Sequence, residues 1–515
     1  MATSMSTGTG AGTGAGMGTR AWALLLVLCG TIFLEGIDVA MLAVAIPTIR
    51  ADLGLGTGTA AWVVSGYVLG YAGFTLLGGR AADLLGRRRM FLFWLTVFLL
   101  FSGLGGFATE GWMLVVARFV TGVAAAFMTP AALSLITTSY EEGPARNKAL
   151  LIFAGTAAAG FSLGLVIGGL LTELGWRWVF FAPVLLAGAL LVAAVRLIPV
   201  QPVPVRTGGP ASFDALGAVT AAGAMLLTAY GIVRLEHGFD GWQLTVGALA
   251  AGALLVGAFV AVERRSSDPL VRLGIFRKAP MVRADLGALL FVGAFFGFQF
   301  VLTLYLQELR GWSSLQTAVA LVVMGVDAIL APTLTPKLVE RFGNARVILG
   351  GFVAAVLAYV MFLPVGMDWS YTAMLPTLLL AGVAFGLAYG PLTIAATDGI
   401  DAEEQGLAGG LLHTSVQFGS AIGISAVTAV YGIASAGAGD DPGARLDAFR
   451  SALFVPVVMV LVGLTLAIHG VRRAERPAAS PMVPVTPVVP VGAALPAGSG
   501  GTVVTEPALR ADQSS

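Results

Sequence analysis

Fourteen apolar stretches, most of them about twenty residues long, follow one another from residue 21 to residue 470, and about twenty apolar residues are what a helix needs to cross a bilayer. They fall at roughly 21–46, 60–79, 90–108, 112–135, 149–171, 177–195, 214–235, 243–262, 284–306, 315–335, 345–363, 371–395, 405–433 and 449–470. Inside hydrocarbon every backbone N–H and C=O must be satisfied within the spanning structure, which leaves helices or closed barrels. Barrel strands are about ten residues long and alternate polar with apolar; these stretches do neither. The chain therefore reads as an all-α integral membrane protein. Its composition agrees: 57% hydrophobic residues and 11% charged ones leave too little polar surface to cover a soluble molecule of 515 residues.

Lys and Arg placement sets the orientation. With fourteen spans and both ends inside, 21 of the 29 basic residues fall at cytoplasmic loops, tails or their flanks. Only Arg50, Arg177, Arg234, Arg310, Arg445 and Arg450 fall outside or near the outer ends. The Pro- and Gly-containing tract 197–213 and the basic tract 263–283 bracket the seventh and eighth spans. The expected organisation is a tail at 1–20, a six-helix bundle at 21–196, linkers with two inserted helices at 197–283, a second six-helix bundle at 284–476, and a disordered tail at 477–515. Gly79 to Arg89, after span two, is echoed by Pro336 to Arg346 after span ten. Basic, Gly-containing turns at matching places are what an internal duplication leaves behind, and paired bundles suit alternating access.

Few residues in so apolar a chain can carry chemistry. Glu35 and Asp38 lie inside the first span, three residues apart and so on one helix face. Carboxylates are expensive in hydrocarbon, so the pair is expected to meet a polar cavity or a partner, as proton-relay groups or as a structural hydrogen-bonding pair. Arg118 is the basic residue deep in a span and can compensate an embedded acid. Asp327 lies about 18 Å into span ten and is a second proton or substrate carboxylate, with helix–helix hydrogen bonding as the rival reading. Asp285, nearer a helix end, is expected to reach water. His413 and Gln417 on span thirteen, Trp62 and Tyr67 on span two and Phe298 on span nine are candidates for the wall of a substrate cavity, through stacking or cation–π attraction. Gly160, Gly164 and Gly168 repeat every four residues, a spacing that lets helix backbones approach closely. The sequence holds no metal-ligand cluster, nucleophilic triad or phosphate-binding Walker loop, so no cofactor and no direct use of ATP is expected. The lone Cys29 excludes an intrachain disulfide.

Taken together these motifs resemble the major facilitator superfamily, in particular its fourteen-span drug:proton antiporter branch. Gly79, Asp83, Gly86 and Arg87-Arg88-Arg89 stand at the positions of that family's cytoplasmic loop signature. Leu34 to Ile49 is similar to its first-span pattern, with Asp38 at the acidic position and Glu35 at a preceding acid. Trp62 to Tyr67 looks like the start of its second span. Arg118 and Gly122 fit its fourth-span motif, where the resemblance implies an arginine involved in proton coupling. Gly160, Gly164, Gly168 and Gly169 fit the antiporter motif of span five, although Leu165 stands where that motif carries proline.

The resemblance implies a major facilitator fold, two six-helix bundles plus two inserted helices, and proton-driven efflux of small hydrophobic or cationic compounds across the inner membrane of a bacterium. A metabolite or peptide symporter or uniporter of the same fold is the alternative, and a non-transporting receptor or scaffold is a third. The expected partners are a small-molecule substrate, protons and membrane lipids, and not nucleic acid. Asp38, Glu35, Arg118 and Asp327 are the expected coupling residues. Gly79, Asp83, Gly86, Arg87 and Arg88 are expected to latch the two halves, against a neighbouring helix terminus or the acidic loop Asp398 to Glu404.

Overall fold

The structure, a computed structural model, describes residues 18–200, 214–237, 241–266, 269–435 and 441–474. Apart from residues 18–20, the two expected tails lie outside the described residues, as do residues 201–213 of the first linker. All regular structure among the described residues is helical. The first six spans are α1 (Thr19–Asp52), α2 (Thr57–Leu85), α3 (Arg87–Gly106), α4 (Gly111–Ser139), α5 (Pro144–Leu174) and α6 (Trp178–Leu197). Next come α7 (Ala215–Val233), α8 (Trp242–Glu263) and α9 (Ala279–Leu304). The remainder is α10 (Ser314–Leu321), α11 (Asp327–Thr333), α12 (Thr335–Phe342), α13 (Asn344–Phe362), α14 (Tyr371–Thr397), α15 (Gln405–Ser435) and α16 (Pro442–Ala474). Fourteen helical spans among these residues are long and apolar enough to cross a membrane, as expected from the sequence.

Span ten departs from the single helix the sequence suggested. It consists of α10 and α11 joined by a 3-10 turn over Val322–Val326, and Asp327 is the first residue after that turn. Several other spans overrun the bilayer: the 34 residues of α1 rise about 51 Å at 1.5 Å per residue, so the helix tilts or projects into the aqueous layers.

Helix pairing repeats between the halves. In the first half α1 packs on α5 and α6, α2 on α4, and α3 on α4 and α6. In the second, α9 packs on α15 and α16, α11 on α14, and α13 on α14 and α16. Each pair in one set has its counterpart eight spans along in the other. The halves meet through α2 against α15 and α5 against α11, which exchange under the same offset. The two basic turns match as well, because Gly86 and Gly343 both take positive φ, at 97° and 83°, a conformation nearly closed to residues with a Cβ.

Close backbone approach holds α1 to α5. A Cβ added at Gly160 would lie 2.6 Å from the Phe33 carbonyl oxygen, one at Gly164 would lie 2.8 Å from the Ala40 Cβ, and one at Gly168 would lie 2.6 Å from the Met41 Cα. The three glycines share one face of α5 and leave no room for a side chain against α1. Gly169 faces the other way, where its Cβ would make an ordinary 3.4 Å contact with Leu315.

The inserted pair α7 and α8 packs on itself and on α2; Trp62 stacks on Tyr230 of α7 at 6.0 Å. The chain returning from α8 to α9 is not a free linker. Leu270, Val271 and Ile275 are buried in a cluster with Leu76 of α2 and with Leu407 and Ala408 of α15. The same segment is tied by Arg80 Nη2 donating to the Pro269 carbonyl at 3.3 Å, by Lys278 Nζ donating to the Gly399 carbonyl at 2.9 Å, and by the Arg272–Glu404 ion pair at 3.6 Å.

Candidate functional site

Among the described residues two clusters of interacting charged side chains bring candidate residues together: one in the middle of the first half, the other where the basic ends of the two halves meet. In the first, the face of α1 that carries Glu35 and Asp38 is pressed inward by the glycine stripe of α5. Asp38 is 2% exposed, and its Oδ2 accepts from Arg118 Nη1 of α4 at 2.5 Å. Arg118 is likewise 2% exposed, so cation and anion are withdrawn from solvent together. Such a pair persists because each member neutralises the other; removing one strands the other at a cost of about 3–5 kcal/mol. Arg118 is positioned through α2 as well as α1. A Cβ at Gly122, one helical turn along from Arg118, would come within 3.0 Å of the Tyr67 Cα, so the two helices run close enough for the Tyr67 ring to lie over the guanidinium, 4.4 Å from its Cζ.

Glu35 is held differently. Its Oε2 accepts from Tyr71 Oη of α2 at 3.0 Å and from Thr129 Oγ1 of α4 at 2.8 Å. Both donors are neutral, so this carboxyl group is fixed in place without a countercharge. Tyr71 and Thr129 were not singled out as polar partners in the sequence. Tyr67 and Tyr71 stand one helical turn apart, which places them on a common face of α2 but says nothing of a hydrogen bond to a different helix.

The second site lies at the basic end. Asp83, near the end of α2, has a side chain 1% exposed. Its Oδ1 accepts from the Gly406 amide at 3.0 Å and its Oδ2 from the Leu407 amide at 2.9 Å, both in the first turn of α15, where unpaired backbone N–H groups and the helix dipole favour an anion. Arg87 donates to Asp83 at 3.0 Å and also to the Ala402 carbonyl. A Cβ at Gly79 would lie 3.0 Å from the Gly410 Cα, which explains the glycine at that position. Arg88 reaches within its own half, donating to the Ile198 carbonyl at 2.9 Å and the Val195 carbonyl at 3.0 Å. Arg146 adds a tie the sequence reading missed: its Nη2 donates to the Thr397 carbonyl of α14 at 2.9 Å, while Glu142 accepts from the Gly399 amide at 3.3 Å. The i,i+4 spacing of Glu142 and Arg146 was the available signal.

The remaining candidates are dispersed. Asp327 is 2% exposed, its Oδ2 has no hydrogen-bond partner among the described residues, and its Cβ would lie 3.3 Å from one built on Gly386 of α14. No hydrogen bond or ion pair among the described residues joins it to Asp38, Glu35 or Arg118. His413 is buried on α15 with Nε2 unpartnered among the described residues, and its ring meets Phe153 of α5 edge-on at 6.5 Å; Gln417, one turn further along, is half-buried. Phe298 is fully buried and stacks on Tyr359 of α13 at 4.6 Å. Asp285 does not reach water as expected: it is 8% exposed, and its Oδ1 lacks a partner among the described residues. The helix that carries it, α9, is packed against α14, α15 and α16. Among the described residues no group of His, Cys, Asp and Glu is arranged to hold a metal ion.

A family model described as Major Facilitator Superfamily matches residues 28–424. Puromycin resistance protein pur8 of Streptomyces alboniger is 34% identical over 422 residues, covering 80% of this chain and 82% of the relative. Cephamycin export protein CmcT of Amycolatopsis lactamdurans is 33% identical, covering 85% and 91%. Multidrug efflux pump LfrA of Mycolicibacterium smegmatis is 29% identical, covering 80% and 81%. Among solved structures, the human organic anion transporter MFSD10 superposes with a TM-score of 0.62 at 16% identity, covering 86% of this chain and 97% of the other, a likeness of fold.

Proposed function

Because the chain belongs to the major facilitator superfamily, we propose that its two polar sites divide the work of an exporter, one carrying the proton and the other holding the halves together. The protein is a bacterial multi-pass membrane transporter that couples proton movement to efflux of small hydrophobic or cationic drugs. It is not an enzyme; its partners are its small-molecule substrate, protons and the surrounding lipids. Relatives that export or confer resistance to antibiotics favour this reading over a metabolite symporter or a non-transporting receptor.

The observation that carries the coupling assignment is the Asp38–Arg118 pair, an ion pair on adjoining helices with both side chains 3% exposed. A proton taken by Asp38 releases Arg118, and its departure restores the pair, so protonation and local geometry are one event. Glu35, held by neutral donors beside the pair, is an auxiliary carboxyl group for a second proton or a cationic substrate, and Asp327 on span ten is a further carboxyl group for either role in the second half. His413 and Gln417 are the cavity candidates on α15. Trp62 faces α7 of the inserted pair and Phe298 is fully enclosed against α13, so both serve packing in this conformation.

In the latch, Asp83 binds the N-terminus of α15 while Gly79, Gly86, Arg87 and Arg88 shape and anchor the turn. The latch is closed here, joining the two halves at the basic end. The excess of Lys and Arg at that end supports cytoplasmic termini and insertion in the cytoplasmic membrane. The bundles are taken to run over 21–196 and 284–476, with 197–283 inserted.

The test is a flux screen in proteoliposomes across dyes and antibiotics, with and without an imposed pH gradient. Wild-type efflux is expected to follow the gradient, and Asp38→Asn is expected to abolish that dependence while leaving substrate binding measurable. pH-driven efflux that survives in Asp38→Asn removes the coupling assignment. Labelling of cysteines placed in the terminal segments, from one side of sealed vesicles at a time, checks the orientation.

A further inference from the structure

Tyr67 was a candidate for a substrate wall, yet its surroundings are those of the ion pair. The side chain is 2% exposed, and its hydroxyl has no hydrogen-bond partner among the described residues. What it presents to its neighbours is the ring, whose centroid lies 4.4 Å from the Arg118 Cζ. Arg118 needs such a neighbour. A guanidinium carries five N–H donors; here Nη1 is used by Asp38, and Nε has no partner among the described residues. Among the described residues the buried cation therefore rests on one carboxylate and one aromatic face, and the second is an electrostatic partner in its own right.

These two supports respond differently to a proton. Protonation of Asp38 cancels its charge and most of its hold on the guanidinium. The quadrupole of the Tyr67 ring is unaffected. We propose that Tyr67 is a positioning residue for proton coupling, holding the Arg118 guanidinium within the bundle during the part of the cycle in which Asp38 is protonated, so that the pair re-forms when the proton leaves. The proposal rests on the coupling assignment made for Asp38 and Arg118.

Further contacts extend the arrangement to the second acid. Tyr67 meets the Tyr71 ring edge-on at 5.9 Å, and Tyr71 donates to Glu35, which is one turn from Asp38 on α1. Asp38, Arg118, Tyr67, Tyr71 and Glu35 thus form a closed circuit across three helices. Other titratable groups on the surrounding helices are few. Tyr389 of α14 interacts electrostatically with Glu35, and α15 contributes His413. The charges of α3, α5 and α6 stand toward the helix ends, at Arg87 to Arg89, Arg146, Lys148, Glu173 and Arg196, and α7 carries none.

The unused hydroxyl makes the test specific, since Tyr67→Phe keeps the ring face and Tyr67→Leu removes it. Infrared spectroscopy of the purified full-length protein follows the carboxylic acid C=O band as pH is varied; the component absent in Asp38→Asn belongs to Asp38. Without the ring, protonating Asp38 would leave a buried guanidinium with no partner, so proton uptake should require a more acidic medium. The midpoint of that band is expected to move by roughly one pH unit toward acid in Tyr67→Leu, the size of a desolvated cation–π contact, and to stay in place in Tyr67→Phe. Tyr67→Met, flexible and without a π face, serves equally if the Leu variant does not purify. An unchanged midpoint in the Leu or Met variant, or an equal shift in Tyr67→Phe, overturns the proposal. If Asp38→Asn removes no titrating band, or retains pH-driven efflux, the coupling assignment itself fails, which is a separate outcome.

Discussion

Replacing Asp83 with Asn should open the basic end, and the structure sets the scale of the effect. The carboxylate accepts from two α15 amides, at 3.0 and 2.9 Å, and from Arg87 at 3.0 Å. Hydrogen bonds to a charged group contribute about 1.5–3 kcal/mol each against about 1 kcal/mol for neutral ones, and the anion also complements the α15 dipole. Asn keeps the shape and one acceptor oxygen but turns an N–H toward a backbone N–H. A net loss of about 2–4 kcal/mol follows, equal to about 30- to 700-fold in the balance between closed and open basic ends. The native chain offers a clean reporter background, since its single cysteine, Cys29, is 3% exposed and can be replaced by Ala. Ala408→Cys then places a thiol at a position 0% exposed beside the latch. Its reaction rate with a membrane-impermeant maleimide, added from the side of the basic end, measures opening. The rate should rise by one to three orders of magnitude, of order the equilibrium shift above, when Asp83→Asn is added. A rate unchanged by that addition refutes the argument, because Asp83 would then hold nothing closed.

Three further outcomes follow from the same geometry. Gly164→Val forces α1 from α5, costs about 1–3 kcal/mol by overpacking and displaces Asp38; thermal stability and pH-driven efflux should both fall, whereas Gly169→Ala, which meets only a 3.4 Å contact, should change neither. Asp38→Ala should destabilise the protein by about 3–5 kcal/mol, seen as a drop in Tm, and the additional change Arg118→Leu should restore much of it, since the stranded cation is the cause. Ile275→Asp inserts a charge among the apolar side chains that dock the α8–α9 segment on α2 and α15; the Ala408→Cys labelling rate should rise in that variant too, and a flat rate would mean the docked segment does not help close this end.

The number of spans and the repeated basic turn were legible in the sequence, because hydrocarbon imposes on each segment separately a requirement that a one-dimensional pattern records. The glycines at 160, 164 and 168 were legible for the same reason: a period of four places them on one helix face whatever lies opposite. The break in span ten was not legible, since Val322 to Val326 is as apolar as its surroundings. Nor was the docking of Leu270, Val271 and Ile275, which sit in a tract that reads as a basic linker and are buried only because α2 and α15 converge beneath them.

For the site, the sequence alone marked Glu35, Asp38, Arg118 and Asp327 as polar groups embedded in apolar spans; that Asp285 joins them, rather than reaching water, was decided by the packing around α9. The partners themselves were a matter of tertiary structure. Asp38 and Glu35, three residues apart and alike in sequence terms, diverge because one faces a cation on α4 and the other faces the hydroxyls of Tyr71 and Thr129. Asp83 acquires its place from amides 323 and 324 residues further along the chain. The cost of an unpaired charge in hydrocarbon is local and can be read residue by residue. Its relief depends on which helices come within hydrogen-bonding distance, and that is decided only when the bundle packs.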